Sequence, residues 1–474
     1  MAKPTGFLEQ KRKEPGYRPV EERVKDYKDV ARALESEDVR VQASRCMDCS
    51  VPFCHSIGCP LSNLIPEWND LVYHGRWEEA LKRLEKSNPF PEITGRICPA
   101  PCETSCTLSI NDSPVTIRQV ELAIIEYGFA RGFVKPKLPL REIPVKIAVV
   151  GSGPAGLAAA QGLRQKGYDV TVYEKSAKAG GILRYGIPDF KLEKSVLDRR
   201  IDLMKQAGIK FETGVNIGED ISAAYLQSKY QMVFLAVGTG QPRDLAIPGR
   251  ELGGIHFAME YLYQSNEFVA GAKKPDGLIS AKGKNVLVIG GGDTGSDCIG
   301  TANRQGAKKV FQFELLPKPM DWDKAWNPVW PDWPVILRTS SSHKEGAERD
   351  WSIGTKKFTG SAGRITEAHF VRLEWQKPAG GGAPVMKEIP GSEFSLKVDL
   401  VFLAMGFLHA EHNRLLKDLA VEMDGRGNIV VTDGCKTSRK GIFAVGDAVS
   451  GASLVVRAMQ HGRNAAETIA DPSA

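Results

Sequence analysis

The sequence predicts an α/β protein in which one strand–turn–helix–strand unit occurs twice, behind a helical, cysteine-rich opening segment. Two observations carry this reading. Short apolar runs at Val145–Val150 and Asn285–Ile289 each end in a glycine cluster that opens a helix, with a second β-rich run behind it, whereas strand signals are scarce before residue 140. The 474 residues suffice for about three domains of roughly 150 residues each. A content of 42% hydrophobic and 25% charged residues is that of a globular chain and not of a disordered one.

In chain order, residues 1–142 read as helices and loops, with helices from Trp77 to Ser87 and from about Thr116 to Ala130. The run KPKLPLREIP at 135–144 carries three prolines and suits an extended connector. The expected division is 1–142, a helical domain; 143–250, the first part of one dinucleotide domain; 251–405, a second dinucleotide domain with a tryptophan-rich insertion; and 406–474, the return to the first. TGQPRDLAIPGRE at 239–251 is the expected crossover. Prolines at 328, 331 and 334 forbid a continuous helix in the insertion, so its tryptophans are expected to pin an irregular loop. No apolar run reaches the roughly 18 residues of a membrane span, and MAKPTGFLEQKRKE lacks a signal-peptide core. A cytoplasmic enzyme is expected. The net charge of +6 is interleaved along the chain and points to neither nucleic acid nor membrane.

Gly151, Gly153 and Gly156 form GxGxxG between a strand and a helix, and Glu174 closes the next strand. Such glycines allow a tight turn, close approach to a pyrophosphate and helix–strand packing, while the acid can accept from ribose hydroxyls. Gly290, Gly292 and Gly295 repeat the pattern with Glu314. Asp293 and Thr294 would cap that helix or touch the coenzyme. An acid at 314 favours NAD, whereas Arg304, Lys308, Lys309 and Lys318 could admit NADP, so both coenzymes stay open. Two dinucleotide units in one chain suggest a flavoprotein reduced by a nicotinamide. GIFAVGDAVSGASLVVRAMQHGR adds Gly446–Asp447, where a carboxylate can bond a flavin ribityl chain, and a helix starting near Ser453 that can stabilise negative charge.

Seven of the nine cysteines lie between Cys46 and Cys106. Cys46, Cys49, Cys54 and Cys59 are spaced CxxCx4Cx4C, and Cys98, Cys102 and Cys106 are spaced Cx3Cx3C. In a reducing compartment this favours ligation over disulfides. Zinc is one reading. Iron–sulfur clusters are the preferred one, because a flavin reduced by hydride needs an outlet for single electrons. Two four-iron clusters need eight ligands. Glu121, on an apolar helix face, would be costly if unpaired, and either ligation or a buried ion pair resolves that. Cys298 and Cys435 read as packing residues, and no flavin-linked redox CxxC is present.

The order of cysteine block, VVGSGPAGLAAA, GGILRYGIPDFKL, VIGGGDTGSDC, ERDWSIGTKKF and AVGDAVSGASLVVRAMQHGR resembles the small subunits of bacterial glutamate synthase over nearly the whole chain. It is also similar to the N-terminal module of dihydropyrimidine dehydrogenase and to NADPH–ferredoxin oxidoreductases. The resemblance implies two Rossmann-like domains behind an α-helical iron–sulfur domain. It implies FAD at Gly151, Ser152, Gly153, Pro154, Ala155, Gly156, Glu174, Lys175, Gly181, Gly238, Gly446, Asp447, Ser453 and Leu454. NADPH, or NADH, is implied at Gly290, Gly292, Asp293, Thr294, Gly295 and Lys318. One 4Fe-4S cluster is implied on Cys46, Cys49, Cys54 and Cys106, and a second on Cys59, Cys98, Cys102 and Glu121. The flavin would perform the hydride chemistry, so no catalytic side chain is assigned. The implied partner is a large FMN-bearing subunit that makes glutamate from glutamine and 2-oxoglutarate. The opening MAKPT offers no cysteine nucleophile for glutamine, so the chain is not expected to make glutamate alone. A reductase for another partner and a zinc-bearing interaction module on a flavoprotein fold are the alternatives.

Overall fold

The structure, a computed structural model, describes residues 2–272, 277–378 and 381–469. Its opening third is helical, with helices Ser36–Ala43, Ile65–Tyr73, Trp77–Ser87, Pro91–Ile97 and Ile117–Ala130. Val39, Trp68, Leu84, Phe90 and Ile124, fully buried, form its core.

Strands β1 (Ile143–Val150), β2 (Tyr168–Glu174), β3 (Lys210–Thr213) and β4 (Met232–Leu235) follow. Next come β5 (Ile255–Phe257), β6 (Asn285–Ile289), β7 (Lys309–Glu314) and β8 (Glu348–Trp351). An antiparallel set, β9 (Ile353–Ser361), β10 (Arg364–Gln376), β11 (Val385–Glu388) and β12 (Phe394–Lys397), precedes β13 (Leu400–Leu403) and β14 (Ile442–Ala444). Two parallel sheets result, ordered β14-β4-β1-β2-β3 and β5-β13-β6-β7-β8. The first sheet is completed by a strand from the end of the chain, and its crossover and return pair with each other. Gln241 N donates to the His409 carbonyl at 3.1 Å and Leu408 N to that of Gln241 at 2.8 Å.

Proline at the first helical position and small residues along one face fit the Pro154–Gln165 helix for close packing. It lies against the last helix, Val455–Thr468, so tightly that a Cβ on Gly462 would stand 2.1 Å from the Ala155 carbonyl oxygen. ERDWSIGTKKF forms β8 and most of β9: one half extends the parallel sheet and the other starts the antiparallel one. The tryptophan-rich insertion is irregular, with one isolated bridge between Met320 and Ile336.

The domains are pinned together. Tyr185 stacks on Tyr263 at 4.4 Å, and Asn266 Nδ2 donates to the Tyr185 carbonyl at 2.9 Å. Buried Arg200 makes a bidentate pair with buried Glu92, at 2.6 and 2.9 Å, linking the first sheet's domain to the helical one. Arg23 of the opening segment and Arg304 both pair with Glu345, which joins that segment to the second sheet's domain. Among the described residues no helix is long and apolar enough to cross a membrane.

Candidate functional site

The two glycine turns share one geometry. Gly151 has φ +103°, and a Cβ there would lie 2.4 Å from the Ala236 carbonyl oxygen; one on Gly156 would lie 2.0 Å from that of Gly151. A Cβ on Gly153 would meet nothing within 4 Å. The outer glycines thus serve the protein's own packing. The middle one faces open space at a helix N-terminus, where free N–H groups and the positive end of the helix dipole await an anion. In the second turn Gly290, at φ +120°, and Gly295 are hemmed in by the carbonyl oxygens of Ala404 and Gly290 at 2.2 and 2.5 Å, while Gly292 is open. Both turns therefore fit a dinucleotide pyrophosphate.

The acids behind the turns have a role that the sequence reading missed. Glu174 accepts from Ser152 N at 3.2 Å and from Ser176 N at 2.8 Å. Glu314 accepts from Gly291 N and, at 3.2 Å, from Leu316 N. Each braces its own turn, so the charge of Glu314 is bound to backbone donors. Lys318, four residues further along the chain, pairs with Asp321 at 2.6 Å and lies 5.7 Å over the Trp351 ring.

Around the first turn, Gly180 N donates to Ser152 Oγ at 2.8 Å, and a Cβ on Gly181 would stand 2.7 Å from Gly153 Cα. Gly238, at φ +68°, is open, and Gly446 packs on Ala155. Asp447 accepts from Ser453 Oγ at 2.7 Å, and burial raises its carboxyl above the usual range. Lys175 turns outward and pairs with Glu411 at 3.6 Å. Asp293 starts the Asp293–Arg304 helix behind Gly292, which occupies the cap position, so neither Asp293 nor Thr294 caps it; both line a cavity instead.

That cavity, of about 830 Å³, lies where the three domains meet. Ser453 and Leu454, just ahead of the last helix, and Val455 at its start enter it, with Asp293 and Thr294 from the second glycine turn and Cys98 from the helical domain. Lys191 and Asp297 form an ion pair in its wall, with Ser296 Oγ 3.4 Å from Lys191 Nζ. Burial pushes the Asp297 carboxyl up against the pull of Lys191. Lys191 belongs to GIPDFKL, a motif noticed in the sequence and given no task there.

All seven clustered cysteines are free thiols. The structure brings Cys46, Cys49, Cys54 and Cys106 within electrostatic reach of one another, and likewise Cys59, Cys98, Cys102 and Glu121. Burial pushes Cys46 and Cys98 up to about 12 and Cys59 up to about 11. Buried thiols of this kind lose their protons only to a cation. Backbone N–H groups already point at several of the sulfurs: Asp48 at Cys46, Leu61, Ser62 and Asn63 at Cys59, Ala100 at Cys98, and Leu108 and Val115 at Cys106. Such bonds hold thiolate charge at iron–sulfur centres, and the two sets fit clusters. Among the described residues no three of His, Cys, Asp and Glu converge closely enough for a single metal ion.

The ligand loops are tight. A Cβ on Gly58 would lie 2.6 Å from Cys102 Cα, and Asp48, Ser62 and Ala100 adopt positive φ beside the cysteines. Non-glycine residues hold that conformation only where surrounding structure enforces it. Glu121 is buried and accepts from neutral groups: Thr94 Oγ1 at 2.5 Å, Asn63 Nδ2 at 3.1 Å and Asn88 Nδ2 at 3.4 Å. Burial raises its carboxyl to about 7. Thr94, Asn63 and Asn88 were not legible in the sequence, since they reach Glu121 from separate segments.

Comparison with known proteins follows this geometry. Residues 145–462 match the pyridine nucleotide-disulphide oxidoreductase family model, and residues 23–133 match dihydropyrimidine dehydrogenase domain II, 4Fe-4S cluster. The glutamate synthase [NADPH] small chain of Mycobacterium tuberculosis (strain H37Rv) is 49% identical, over 99% of this chain and 96% of its own length. The chain belongs to the glutamate synthase small-chain family. The Bacillus subtilis member is 44% identical over 99% of this chain and 98% of its own. In Schizosaccharomyces pombe, glutamate synthase [NADH] matches 98% of this chain at 45% identity, and the match makes up 22% of that much longer protein. Among solved structures, Mycobacterium tuberculosis FprA in complex with NADPH superposes with a TM-score of 0.53 at 17% identity, covering 69% of this chain and 84% of FprA, a likeness of fold.

Proposed function

We propose that this chain is the electron-input subunit of a glutamate synthase, passing electrons from NADPH by way of FAD and two 4Fe-4S clusters to a large FMN-bearing subunit that makes glutamate from glutamine and 2-oxoglutarate. The observation that carries the reading is the shared cavity, because a residue of one thiol set, the last helix's N-terminus and the second glycine turn all open into it. When bound there, a flavin supplies the conversion of one hydride into two single electrons.

The chain's own residues bind, orient and insulate. Gly153 and Gly292 leave room for the two pyrophosphates, and Glu174 and Glu314 hold those turns in shape. Asp447, held by Ser453, presents a carboxylate for the ribityl hydroxyls. The Lys191–Asp297 pair keeps a fixed positive group in the cavity wall without leaving a lone buried charge. The Tyr185–Tyr263 stack and the Arg200–Glu92 pair hold the domains at one spacing, so the gap that electrons cross does not drift. Cys59, Cys98, Cys102 and Glu121 would hold the cluster beside the cavity, and Cys46, Cys49, Cys54 and Cys106 the one beyond it. The names of the bacterial relatives, glutamate synthase [NADPH] small chain, support NADPH as the reductant, with Lys318, four residues after Glu314, as the cation that would meet its 2′-phosphate.

The test uses the anaerobically purified chain. It should be coloured, carry flavin and acid-labile sulfide, and reduce a one-electron dye with NADPH. It should form glutamate from glutamine and 2-oxoglutarate only when the large subunit is added. Appreciable glutamate from the chain alone, or a protein without flavin and sulfide after reconstitution, refutes the assignment.

A further inference from the structure

We infer that the face built from the Cys46–Cys59 loop and the tryptophan-rich insertion is the docking surface for the large subunit, an inference that rests on the electron-input reading. Of the eight ligand residues assigned above only Cys98 lines the cavity, which makes the Cys46, Cys49, Cys54 and Cys106 set the outer one. The insertion reaches across from the second dinucleotide domain and fastens on this outer set. Trp330 lies against Phe53 at 4.7 Å, and its indole N–H donates to the Cys106 carbonyl at 3.1 Å. Ser105 Oγ donates to the Pro331 carbonyl at 2.8 Å, and Asn327 N to that of Ser109 at 2.7 Å.

Large apolar side chains gather on the segments these bonds hold together. Val51 and Ile57, 65% and 55% exposed, stand within the ligand loop itself. Ile110 follows Ser109, and Trp326, Val329 and Trp333 flank the anchoring Trp330; each is more than a third exposed. Single exposed apolar residues need no explanation, but a group of them around a redox centre marks a contact surface. The occupant is argued from two facts. Electrons must leave from the outer ligand set, so the acceptor has to sit beside it. In the fungal relative the same module is 22% of one continuous chain, so there it works permanently next to the rest of the enzyme. Permanent interfaces are apolar and rich in aromatic residues, as this face is.

The experiment uses the flavin- and iron-loaded chain with the large subunit. Hydrogen exchange should slow at residues 50–58 and 107–111 and across 326–335 when the large subunit is added. The double variant Ile110→Glu, Val329→Glu should keep its flavin, iron and sulfide content while binding the large subunit at least about tenfold more weakly. Val385→Glu on β11, an exposed apolar position on the antiparallel sheet, should bind like the parent chain. Undiminished affinity of the double variant, protection confined to other regions, or protection that appears with concentration of the chain alone (a second copy on this face) overturns the inference. A parent chain that holds no flavin or iron instead overturns the electron-input reading itself.

Discussion

Replacing Gly153 with alanine separates coenzyme binding from folding. Its backbone, at φ −68° and ψ −178°, suits alanine, and no protein atom lies within 4 Å of the added carbon. Stability of the flavin-free chain should therefore change by no more than about 1 kcal/mol, the loss of a glycine cap being offset by a stiffer unfolded chain. The methyl group points into the space assigned to the pyrophosphate and prevents the close approach of a backbone N–H to phosphate. A hydrogen bond to a charged group is worth about 1.5–3 kcal/mol, so FAD should bind roughly 10- to 150-fold more weakly. Gly156→Ala should do the opposite. Its Cβ meets a backbone oxygen at 2.0 Å, and such overpacking costs about 1–3 kcal/mol, or about 2–4 °C of Tm per kcal/mol. Titration of the flavin-free protein with FAD, followed by flavin fluorescence, reads the first effect, and thermal melting reads the second. Unweakened FAD binding by Gly153→Ala, or a melting loss equal to that of Gly156→Ala, refutes the assignment of the middle glycine.

Glu121→Ala should cut iron and acid-labile sulfide to about half of the parent's content while leaving FAD in place, and full iron content would remove Glu121 from the ligand set. Lys318→Ala should raise the KM for NADPH several-fold and leave that for NADH unchanged; equal effects on both would assign Lys318 a role other than reading the 2′-phosphate. His343 accepts from Ser340 N, and burial, together with Arg349 and Lys191, pushes its imidazole down to about 4. The unfolded chain therefore takes up the proton first, so His343 contributes stability above about pH 6.5 that is lost as pH falls toward 4. Thermal melts of the parent and of His343→Asn should converge over that interval, and a constant gap would count against this account.

Much of this protein was legible in its sequence, and what was legible is local. The turns at 151–156 and 290–295 need glycine because carbonyl oxygens of the same turn or of the adjoining strand end crowd the Cβ positions. Strand length, helix start and acid spacing around them follow within a few dozen residues. The cysteine spacing pointed to cluster chemistry by the same short-range logic. Other features were decided by packing between segments far apart in the chain. Glu121 could have met iron or a cation as far as its helix face could tell, and only the fold surrounds it with Thr94, Asn63 and Asn88. Asp297 meets Lys191 across the domain junction, and Trp330 meets Cys106 from more than two hundred residues away. The split of ERDWSIGTKKF between two sheets was likewise invisible, because strand partners are chosen by the faces they bury. Backbone geometry at a turn is set by its immediate neighbours, whereas the environment of a buried charge or ring is set by whichever distant elements close over it.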